Sequence, residues 1–253
     1  MPSPKLAIIL AAGMGSRLGE YSKHLPKTLL TVGNSTIFDR MVVGLSMIGI
    51  KDIVVITGHA ASTLETHALS YSSKLVNNNV NFHFIRNNNL DIGNIYSFWL
   101  ARGRMNEDFI LLNSDVVFDY GILNLLKNDI HSSSLVIDDS KTLGEEEMKV
   151  NVTEGEIIKE ISKKLDPISA DGEYIGIMKL SSGDATKVIE QVERLMSEKQ
   201  FPLYYEDALR RIANNNDFLV ACSTKGLPWT EIDTVEDMQY AQTIILPQLQ
   251  SPA

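Results

Sequence analysis

Apolar residues form short runs along this chain, and most of these runs alternate with segments of helical spacing. Residues 6–10 are continuously apolar, the pattern typical of a strand buried on both faces of a parallel sheet. Similar runs predict strands at residues 53–57, 80–85, 109–112, 135–137 and 217–222, with a short extended piece at 28–32. Apolar residues three and four apart predict helices at residues 35–48, 62–72, 94–102, 120–128, 185–199, 206–213 and 235–245.

The alternation of strands and helices predicts an α/β fold of Rossmann-like type, with a mostly parallel sheet flanked by helices. Residues 148–152 and 157–162 instead alternate apolar with polar side chains around Glu154-Gly155, which indicates a β-hairpin. A further strand is predicted at residues 173–180. We therefore expect a small β-rich insertion at about residues 140–182 within a single domain of residues 1–253.

Composition narrows the classes of function. The chain has 23 basic and 32 acidic residues, a formal net charge of −9, and no Lys/Arg-rich run, so a nucleic-acid partner is not expected. No apolar stretch approaches the roughly 18 residues that span a bilayer, so no membrane partner is expected. The single cysteine, Cys222, is expected to be a buried structural thiol, which fits a cytoplasmic protein. The five histidines lack metal-ligand spacing, so a zinc site is not expected.

Small residues follow the first predicted strand and make a candidate phosphate-binding loop. The candidate nucleotide-binding residues at this strand end are Leu10, Ala11, Ala12, Gly13, Gly15 and Ser16. Their backbone N–H groups can approach a phosphate closely because few side chains stand in the way. Two cations follow, Arg17 and Lys27, and both suit the negative oxygens of a nucleoside triphosphate.

The spacing of this loop excludes two other glycine-rich loops. A dinucleotide fingerprint that starts at Gly13 requires glycine or alanine at position 18, and a Walker A loop requires glycine there; the chain has Leu18. Gly-x-Gly by itself also occurs in an ordinary tight turn between a strand and a helix, so the two glycines alone leave both interpretations open.

The strand, the sequence Ala-Ala-Gly-x-Gly-x-Arg and the later Pro26-Lys27 together resemble the N-terminal signature of a nucleotidyltransferase superfamily. That superfamily activates sugar phosphates and small alcohol phosphates. The resemblance implies the fold of the nucleotide-diphospho-sugar transferases, with a nucleoside triphosphate bound at the glycine loop. It also implies that Arg17 and Lys27 are catalytic cations, which stabilise charge on the phosphates and on the departing pyrophosphate.

A carboxylate follows the strand predicted at residues 109–112. Asp115 lies in the turn Asn113-Ser114-Asp115, beside the glycine loop, where it is placed to hold Mg²⁺ against a triphosphate. A helix N-cap or an Asx turn is the alternative. The resembled family commonly has Asp-x-Asp here, so Asn113 replaces the first acid and leaves Asp115 as the charged ligand. The resemblance also implies a nucleotide contact by Ser114.

Two further carboxylates precede the last predicted helix. Glu231 and Asp233 alternate along an extended piece, so both project to one face with metal-ligand spacing; solvated surface charge is the alternative. Thr234 and Asp237 form a variant of the capping box, which sets the turn after Asp233. The resembled family has an acidic pair here as the second half of its metal site. The resemblance therefore implies Asp115, Glu231 and Asp233 as ligands of Mg²⁺.

The middle of the chain carries a further resemblance. The sequence Asn-Ile-Tyr-Ser from Asn94 to Ser97 is similar to the Asn-x-Tyr-Ser segment of the cytidylyltransferases that make CDP-choline and related compounds. Hexose-1-phosphate enzymes usually have Leu-Gly-Thr-Ala there. Asn94 is then either a helix N-cap or a contact to the base or the acceptor.

Candidate acceptor-binding residues lie in the middle and C-terminal parts of the chain. They include Tyr96, Lys149, Tyr174 and Trp229. Lys149 and Tyr174 belong to the β-rich region, which in the resembled family forms the wall facing the acceptor. A solvated lysine and a half-buried sheet tyrosine are the alternatives for these two residues.

The segment Tyr204-Tyr205-Glu206-Asp207 is a candidate site for a cationic head group. Two aromatic rings beside two carboxylates can enclose a cation by cation–π attraction and by charge. The two acids also suit the first turn of a helix, so this alternative stays open.

As a whole, the chain resembles the small CTP-dependent enzymes that act on phosphocholine, inositol 1-phosphate and aminoethylphosphonate. We expect a cytidylyltransferase with CTP, Mg²⁺ and a small phosphate or phosphonate acceptor as its partners. A sugar-1-phosphate uridylyl- or thymidylyltransferase and a non-catalytic nucleotide-binding module are the alternatives. A homodimer is compatible with the sequence, which does not specify the oligomeric state.

Overall fold

The elements come from a computed structural model that describes residues 4–72, 80–198, 202–213 and 218–249. The strands are β1 Leu6–Ala11, β2 Thr31–Val32, β3 Ser35–Thr36, β4 Asp52–Thr57, β5 Asn81–Arg86, β6 Phe109–Asn113, β7 Val116–Phe118, β8 Ser134–Asp138, β9 Lys149–Val152, β10 Ile158–Ser162, β11 Gly172–Leu180, β12 Val220–Ser223 and β13 Trp229–Glu231. The α-helices are α1 Ile37–Met47, α2 Ala61–Ser72, α3 Asn94–Leu100, α4 Tyr120–Asn128, α5 Ser182–Ser197, α6 Tyr205–Ala213 and α7 Val235–Tyr240. The 3-10 helices are Ser16–Tyr21, Lys27–Leu29, Leu90–Ile92, Ala101–Arg104 and Leu246–Gln248, and Ala241–Ile245 is a π-helix.

The main sheet combines a parallel half with an antiparallel half. Within the described residues it has nine strands, seven of them in the order β10-β9-β11-β6-β1-β4-β5, while β8 pairs with β11 and β12. Strands β6, β1, β4 and β5 are parallel, whereas β11 runs antiparallel to β6, β8 and β9. The predicted α/β fold, with helices flanking the sheet, is confirmed.

Strand β1 lies between β4 and β6 and is covered on both faces. Each of its six residues is at most 7% exposed. Ile9 packs in the core layer that contains Phe38 of α1, while Ile8 packs in the layer that contains Phe98 of α3. The continuous apolar run therefore reflects burial on two faces, as predicted.

The predicted hairpin and the strand after it lie in the antiparallel half of the sheet. β9 and β10 pair antiparallel, with Ile161 opposite Val150. β11 continues the sheet from β9 to β6. The β-rich region thus adjoins the same sheet that carries the glycine loop.

The predicted start of the first helix was wrong. Residues 35–36 pair with residues 31–32 as a short ribbon, and helix α1 begins only at Ile37. Thr36 caps this helix, since its Oγ1 accepts from Asp39 N at 3.0 Å. The extended piece predicted at 28–32 is also shorter, because residues 27–29 form a turn of 3-10 helix.

Asn94 is not an N-cap, contrary to one of the two interpretations. It is the first residue of α3, and Gly93 precedes it at φ +100°. A Cβ at Gly93 would lie 2.1 Å from Leu203 O, so the close approach of these two segments requires glycine. Helix α3 ends at Leu100, and the remainder of the predicted helix is 3-10 helix.

Three other predicted boundaries shift. Helix α5 begins at Ser182, before the predicted start, and the last helix changes from α to π geometry at Ala241. The last strand of the main sheet begins at Val220. The predicted end of the 185–199 helix and the predicted start of the 217–222 strand lie outside the described residues.

Cys222 is half-buried rather than fully buried. Burial raises the pKa of its thiol to about 11, so the sulfur stays protonated at neutral pH. None of the helices in the described part of the chain has both the length and the apolar character needed to span a bilayer.

Candidate functional site

The glycine loop follows β1 at the carboxyl edge of the parallel strands. Gly15 is at φ +60°, and a Cβ there would lie 3.2 Å from Ser22 Cβ. Ser22 Oγ donates to Gly15 O at 2.7 Å, and His59 N donates to Ala12 O at 3.0 Å. These bonds anchor one side of the loop to the rest of the protein. The opposite side of the loop lines a cavity.

Lys27 lies between two carboxylates. It is 9% exposed; its Nζ is 3.0 Å from Asp115 Oδ2 and also donates to Asp233 Oδ1. Arg17 contacts the other oxygen of Asp233. Burial alone lowers the pKa of Lys27, but the charges of Asp115 and Asp233 and the bonds to them raise it above its usual value. The ammonium therefore stays charged at neutral pH.

A short antiparallel ribbon brings the distant acids together. β7 pairs with β13 so that Glu231 lies opposite Val116. The ribbon continues through Ile232 N, which donates to Asp115 O at 2.9 Å. Because Asp115 directly precedes β7 and Asp233 closely follows β13, this pairing places both carboxylates at Lys27.

The predicted capping box is confirmed and holds the chain just after the ribbon. Thr234 Oγ1 accepts from Asp237 N, and Asp237 Oδ2 accepts from Thr234 N. Asp237 Oδ2 also accepts from Asp233 N at 3.0 Å. The backbone of Asp233 is therefore held in place.

The three predicted metal ligands do not form a ready-made cluster. Across the described ranges no group of three His, Cys, Asp or Glu residues is arranged to hold a metal; the Lys27 ammonium lies between Asp115 and Asp233 instead. Asp115 Oδ1 is nevertheless buried without a hydrogen-bond partner among the described residues. Burial, with the neighbouring charges of Asp115, Glu173 and Asp233, raises the pKa of Glu231 well above its usual value. An orphaned carboxylate oxygen beside further acids fits a hard divalent cation.

The glycine loop and the acids line one cavity, which we call the loop cavity, of about 320 Å³. The predicted nucleotide-binding residues that line it are Leu10, Ala12, Gly13, Gly15, Ser16, Arg17, Lys27, Asn94 and Ser114. Asp115 and Asp233 line it as well. Ala11, the remaining candidate, is buried at the end of β1. The structure thus brings nearly the whole predicted set to one place.

Sequence reasoning missed Asn87 and gave no role of its own to Ser97, which it named only as the end of the Asn-Ile-Tyr-Ser segment. Both residues line the loop cavity, and Asn87 Nδ2 donates to Ser97 Oγ at 3.0 Å. Asn87 is 2% exposed and its Oδ1 accepts from Asn89 N. Asn87 directly follows β5, so its place at the carboxyl end of a parallel strand was a usable signal.

A second cavity, which we call the tryptophan cavity, adjoins the first. It measures about 440 Å³, and Arg17 and Asp233 line both cavities. Trp229 lines it as a candidate acceptor residue, and its Nε1 donates to Asp138 Oδ2 at 2.8 Å. A ligand in the tryptophan cavity would therefore meet one in the loop cavity at Arg17 and Asp233.

The structure does not form the predicted cage at Tyr204–Asp207. Tyr205 is fully buried and its hydroxyl lies 2.9 Å from that of Tyr174, which is also buried. Tyr205 Oη also donates to Asn113 Oδ1 at 3.2 Å. Both tyrosines therefore lie behind the site and orient Asn113, the residue that replaces the usual first acid.

Two other candidate acceptor-binding residues contact other parts of the protein instead. Lys149 is fully buried, and its Nζ donates to the carbonyl oxygens of Gly144, Glu145 and Glu147. It holds the 144–147 loop and is not free to contact an acceptor. Tyr96 stacks on Trp99, with ring centroids 5.5 Å apart, and lines neither of the two cavities.

Glu206 and Asp207 likewise have local roles. Asp207 Oδ2 accepts from Tyr204 N at 3.0 Å, before the start of α6. Glu206 is 5% exposed and its Oε2 accepts from Asn94 Nδ2 at 3.2 Å. Asn94 Oδ1 in turn accepts from Tyr205 N, so both ends of the Asn94 amide are held by α6. Glu206 thus orients a residue of the loop cavity.

We expect Glu206→Gln to raise the free energy of unfolding at pH 8 and to change it little at pH 5. Burial raises the pKa of Glu206 from 4.5 to about 7. Between these values the carboxyl ionises in the unfolded chain only, so stability falls as pH rises, and the penalty is complete above pH 7. The shift corresponds to on the order of 3 kcal/mol.

Urea unfolding at the two pH values measures this difference. Glu190→Gln, at an exposed position of α5, is the matched control for the loss of one carboxylate. An equal effect of Glu206→Gln at both pH values would contradict the titration of Glu206.

Comparison with known proteins identifies relatives of this chain. The model of the nucleotidyl transferase family matches residues 6–146. The CTP:phosphoglutamine cytidylyltransferase of Campylobacter jejuni is 28% identical over 92% of this chain and 97% of its own length. The bifunctional IPC transferase and DIPP synthase of Aquifex aeolicus is 27% identical over 95% of this chain, which spans only 51% of that protein.

A solved structure supports the fold independently. The CTP:phosphocholine cytidylyltransferase of Streptococcus pneumoniae superposes with a TM-score of 0.75, covering 95% of this chain and 99% of that one at 22% identity. The predicted fold of the nucleotide-diphospho-sugar transferase type is therefore confirmed.

Proposed function

This chain belongs to the nucleotidyl transferase family, and on that premise we propose that it is a cytidylyltransferase. It would transfer CMP from CTP to a small phosphorylated alcohol or phosphonate and release pyrophosphate. The cytidylyltransferases among its relatives support the choice of CTP. The observation that carries the proposal is the pair of adjoining cavities that share Arg17 and Asp233, with Lys27 in the loop cavity and bonded to Asp233.

The two cavities suit the two substrates of such a transfer. The loop cavity offers backbone N–H groups and the Lys27 ammonium to a triphosphate. The tryptophan cavity would take the acceptor, whose phosphate would lie at the shared residues. This arrangement would hold the acceptor oxygen near the α-phosphorus, which is the positioning that phosphoryl and nucleotidyl transfer require.

The reaction needs no protein nucleophile. A phosphate monoester has a second pKa of about 6, so its oxygen is already largely ionised at neutral pH. That oxygen would form a bond to the α-phosphorus of CTP while the bond to the β-phosphate breaks, and pyrophosphate would leave. Lys27 and Arg17 would stabilise the negative charge that accumulates on the phosphates and on the leaving group.

Asp115, Asp233 and Glu231 would hold Mg²⁺. The unpaired Oδ1 of Asp115 supports this assignment, because hard cations take carboxylate oxygens as ligands. When bound, the ion would neutralise phosphate charge and help orient the triphosphate. The Lys27 ammonium would then contact the phosphates. Asp115 and Asp233 keep it charged, because they raise its pKa.

We expect a CMP adduct when the protein is incubated with CTP, Mg²⁺ and a mixture of phosphorylated alcohols and phosphonates. Mass spectrometry identifies the product, and pyrophosphate release gives its rate. Parallel reactions contain UTP or dTTP with hexose 1-phosphates. If product formed only in those parallel reactions, the protein would be a sugar nucleotidyltransferase. CTP binding by calorimetry without pyrophosphate release for any acceptor would show a non-catalytic module.

A further inference from the structure

The wall of the tryptophan cavity is strongly acidic. Its described lining residues include seven carboxylates and three cations. One of the cations, Arg17, is paired with Asp233 at the junction with the loop cavity. The part of the cavity away from this junction therefore carries an excess of negative charge, which suits a ligand group of positive charge.

Lys141 shows where such a positive group is bound. Its Nζ lies 2.6 Å from Glu173 Oε2, 3.6 Å from Glu147 Oε1 and 5.3 Å from the centroid of the Trp229 ring. The indole is oriented by its bond to Asp138. A cation at this point thus has a ring face and two carboxylates around it, the combination that binds ammonium groups.

Glu173 and Trp229 are buried, whereas the Lys141 side chain that contacts them is partly exposed. Glu173 and Trp229 are 4% and 8% exposed, but the Lys141 side chain is 37% exposed on a flexible four-carbon stem. If Lys141 turned toward solvent, Glu173 would be left buried without its counter-charge. An incoming cation would restore the favourable charge pairing, whereas an anionic group would add repulsion and a neutral hydroxyl would restore no charge.

We propose that the acceptor carries an ammonium group, which replaces the Lys141 ammonium between Glu173, Glu147 and the Trp229 ring. This inference rests on the proposed function and narrows its substrate class to aminoalkyl phosphates or phosphonates. The phosphorus end of the acceptor lies at Arg17 and Asp233, and the ammonium end lies at Glu173. Lys141 then determines specificity, because it competes with the acceptor for the same place.

Matched acceptors test the inference. The panel pairs 2-aminoethylphosphonate with ethylphosphonate and 3-aminopropylphosphonate with propylphosphonate, each with CTP and Mg²⁺. We expect kcat/KM to be about 10-fold or more higher for each amine, since a hydrogen bond to a charged group is involved. Equal turnover of the paired acceptors would overturn the inference and leave the proposed function intact. Absence of any CMP adduct both in this panel and in the wider mixture of phosphorylated alcohols and phosphonates would overturn the inference and the proposed function together.

Variants of Lys141 and Glu173 test the site itself. Lys141→Met should lower KM for the amine acceptors, whereas a rise in KM would show that Lys141 binds an acceptor anion and would overturn the inference. Glu173→Gln should raise KM for the amines about 10-fold and leave KM for CTP unchanged. Glu190→Gln also replaces one glutamate by glutamine, at an exposed position of α5, and is the control for Glu173→Gln. If Glu173→Gln fails to fold, the sign of the Lys141→Met effect still decides.

Discussion

Lys27→Ala should lower kcat by about 10²- to 10³-fold, or roughly 3–4 kcal/mol of transition-state stabilisation. Lys27 is buried, lines the loop cavity and keeps its charge because Asp115 and Asp233 flank it. In that place its ammonium is preorganised for charge that develops on the phosphates. Pyrophosphate release under saturating CTP and acceptor measures the loss.

A control separates this effect from a general loss of charge near the loop. Lys23 is exposed, four residues earlier, and pairs only weakly with Glu20 at the surface. Lys23→Ala should leave kcat within about two-fold, as surface pairs contribute little. Thermal unfolding of both variants checks that they are folded. A kcat for folded Lys27→Ala within a few-fold of the parent would remove Lys27 from the mechanism.

Asp115→Asn should lower kcat/KM by about 10²-fold and raise the Mg²⁺ concentration needed for half-maximal activity. The substitution keeps the size of the side chain but removes the negative charge from the orphaned Oδ1 and from the partner of Lys27. The metal would lose a charged ligand and Lys27 one of its two counter-charges. Activity measured across a range of Mg²⁺ concentrations gives both quantities.

A direct binding measurement makes the Asp115 result specific. Mn²⁺ binding in the presence of CTP, followed by electron paramagnetic resonance, should weaken in Asp115→Asn. Asp91→Asn, at an exposed position of the 90–92 helix, is the matched control and should bind as the parent does. Unchanged Mn²⁺ affinity in Asp115→Asn would show that Asp115 does not hold the metal.

Near neighbours in the sequence were enough to predict several features. The apolar run of β1 and the small residues after it predicted a buried strand and a bare loop, because both patterns depend on adjacent residues. The capping box of Thr234 and Asp237 was predicted for the same reason. The error at residue 35 arose because residues 35–36 pair locally with residues 31–32 before the helix begins. The interpretation of Asn94 as an N-cap failed where a distant segment decides the boundary, since Gly93 packs against Leu203.

Burial of individual polar side chains could not be predicted from the sequence. Tyr205 and Lys149 have the residue types that bind acceptors, yet both are buried and bonded within the protein. Conversely, no sequence pattern indicated a site at Lys141 and Glu173, although these side chains form an ion pair beside the Trp229 ring. Whether a polar side chain faces a cavity or the core depends on what packs against it from other segments.

The α/β class, the glycine loop and the candidate acids could be predicted from the sequence, because periodicity and turn chemistry act over a few residues. The folded chain was needed to show that Asp115 and Asp233 meet at Lys27 and that the acceptor candidates separate into buried and cavity-lining residues. These contacts depend on the pairing of β7 with β13 and on the stacking of helices on the sheet. Such pairings join segments far apart in the chain, and local residue patterns do not specify which distant partners will meet.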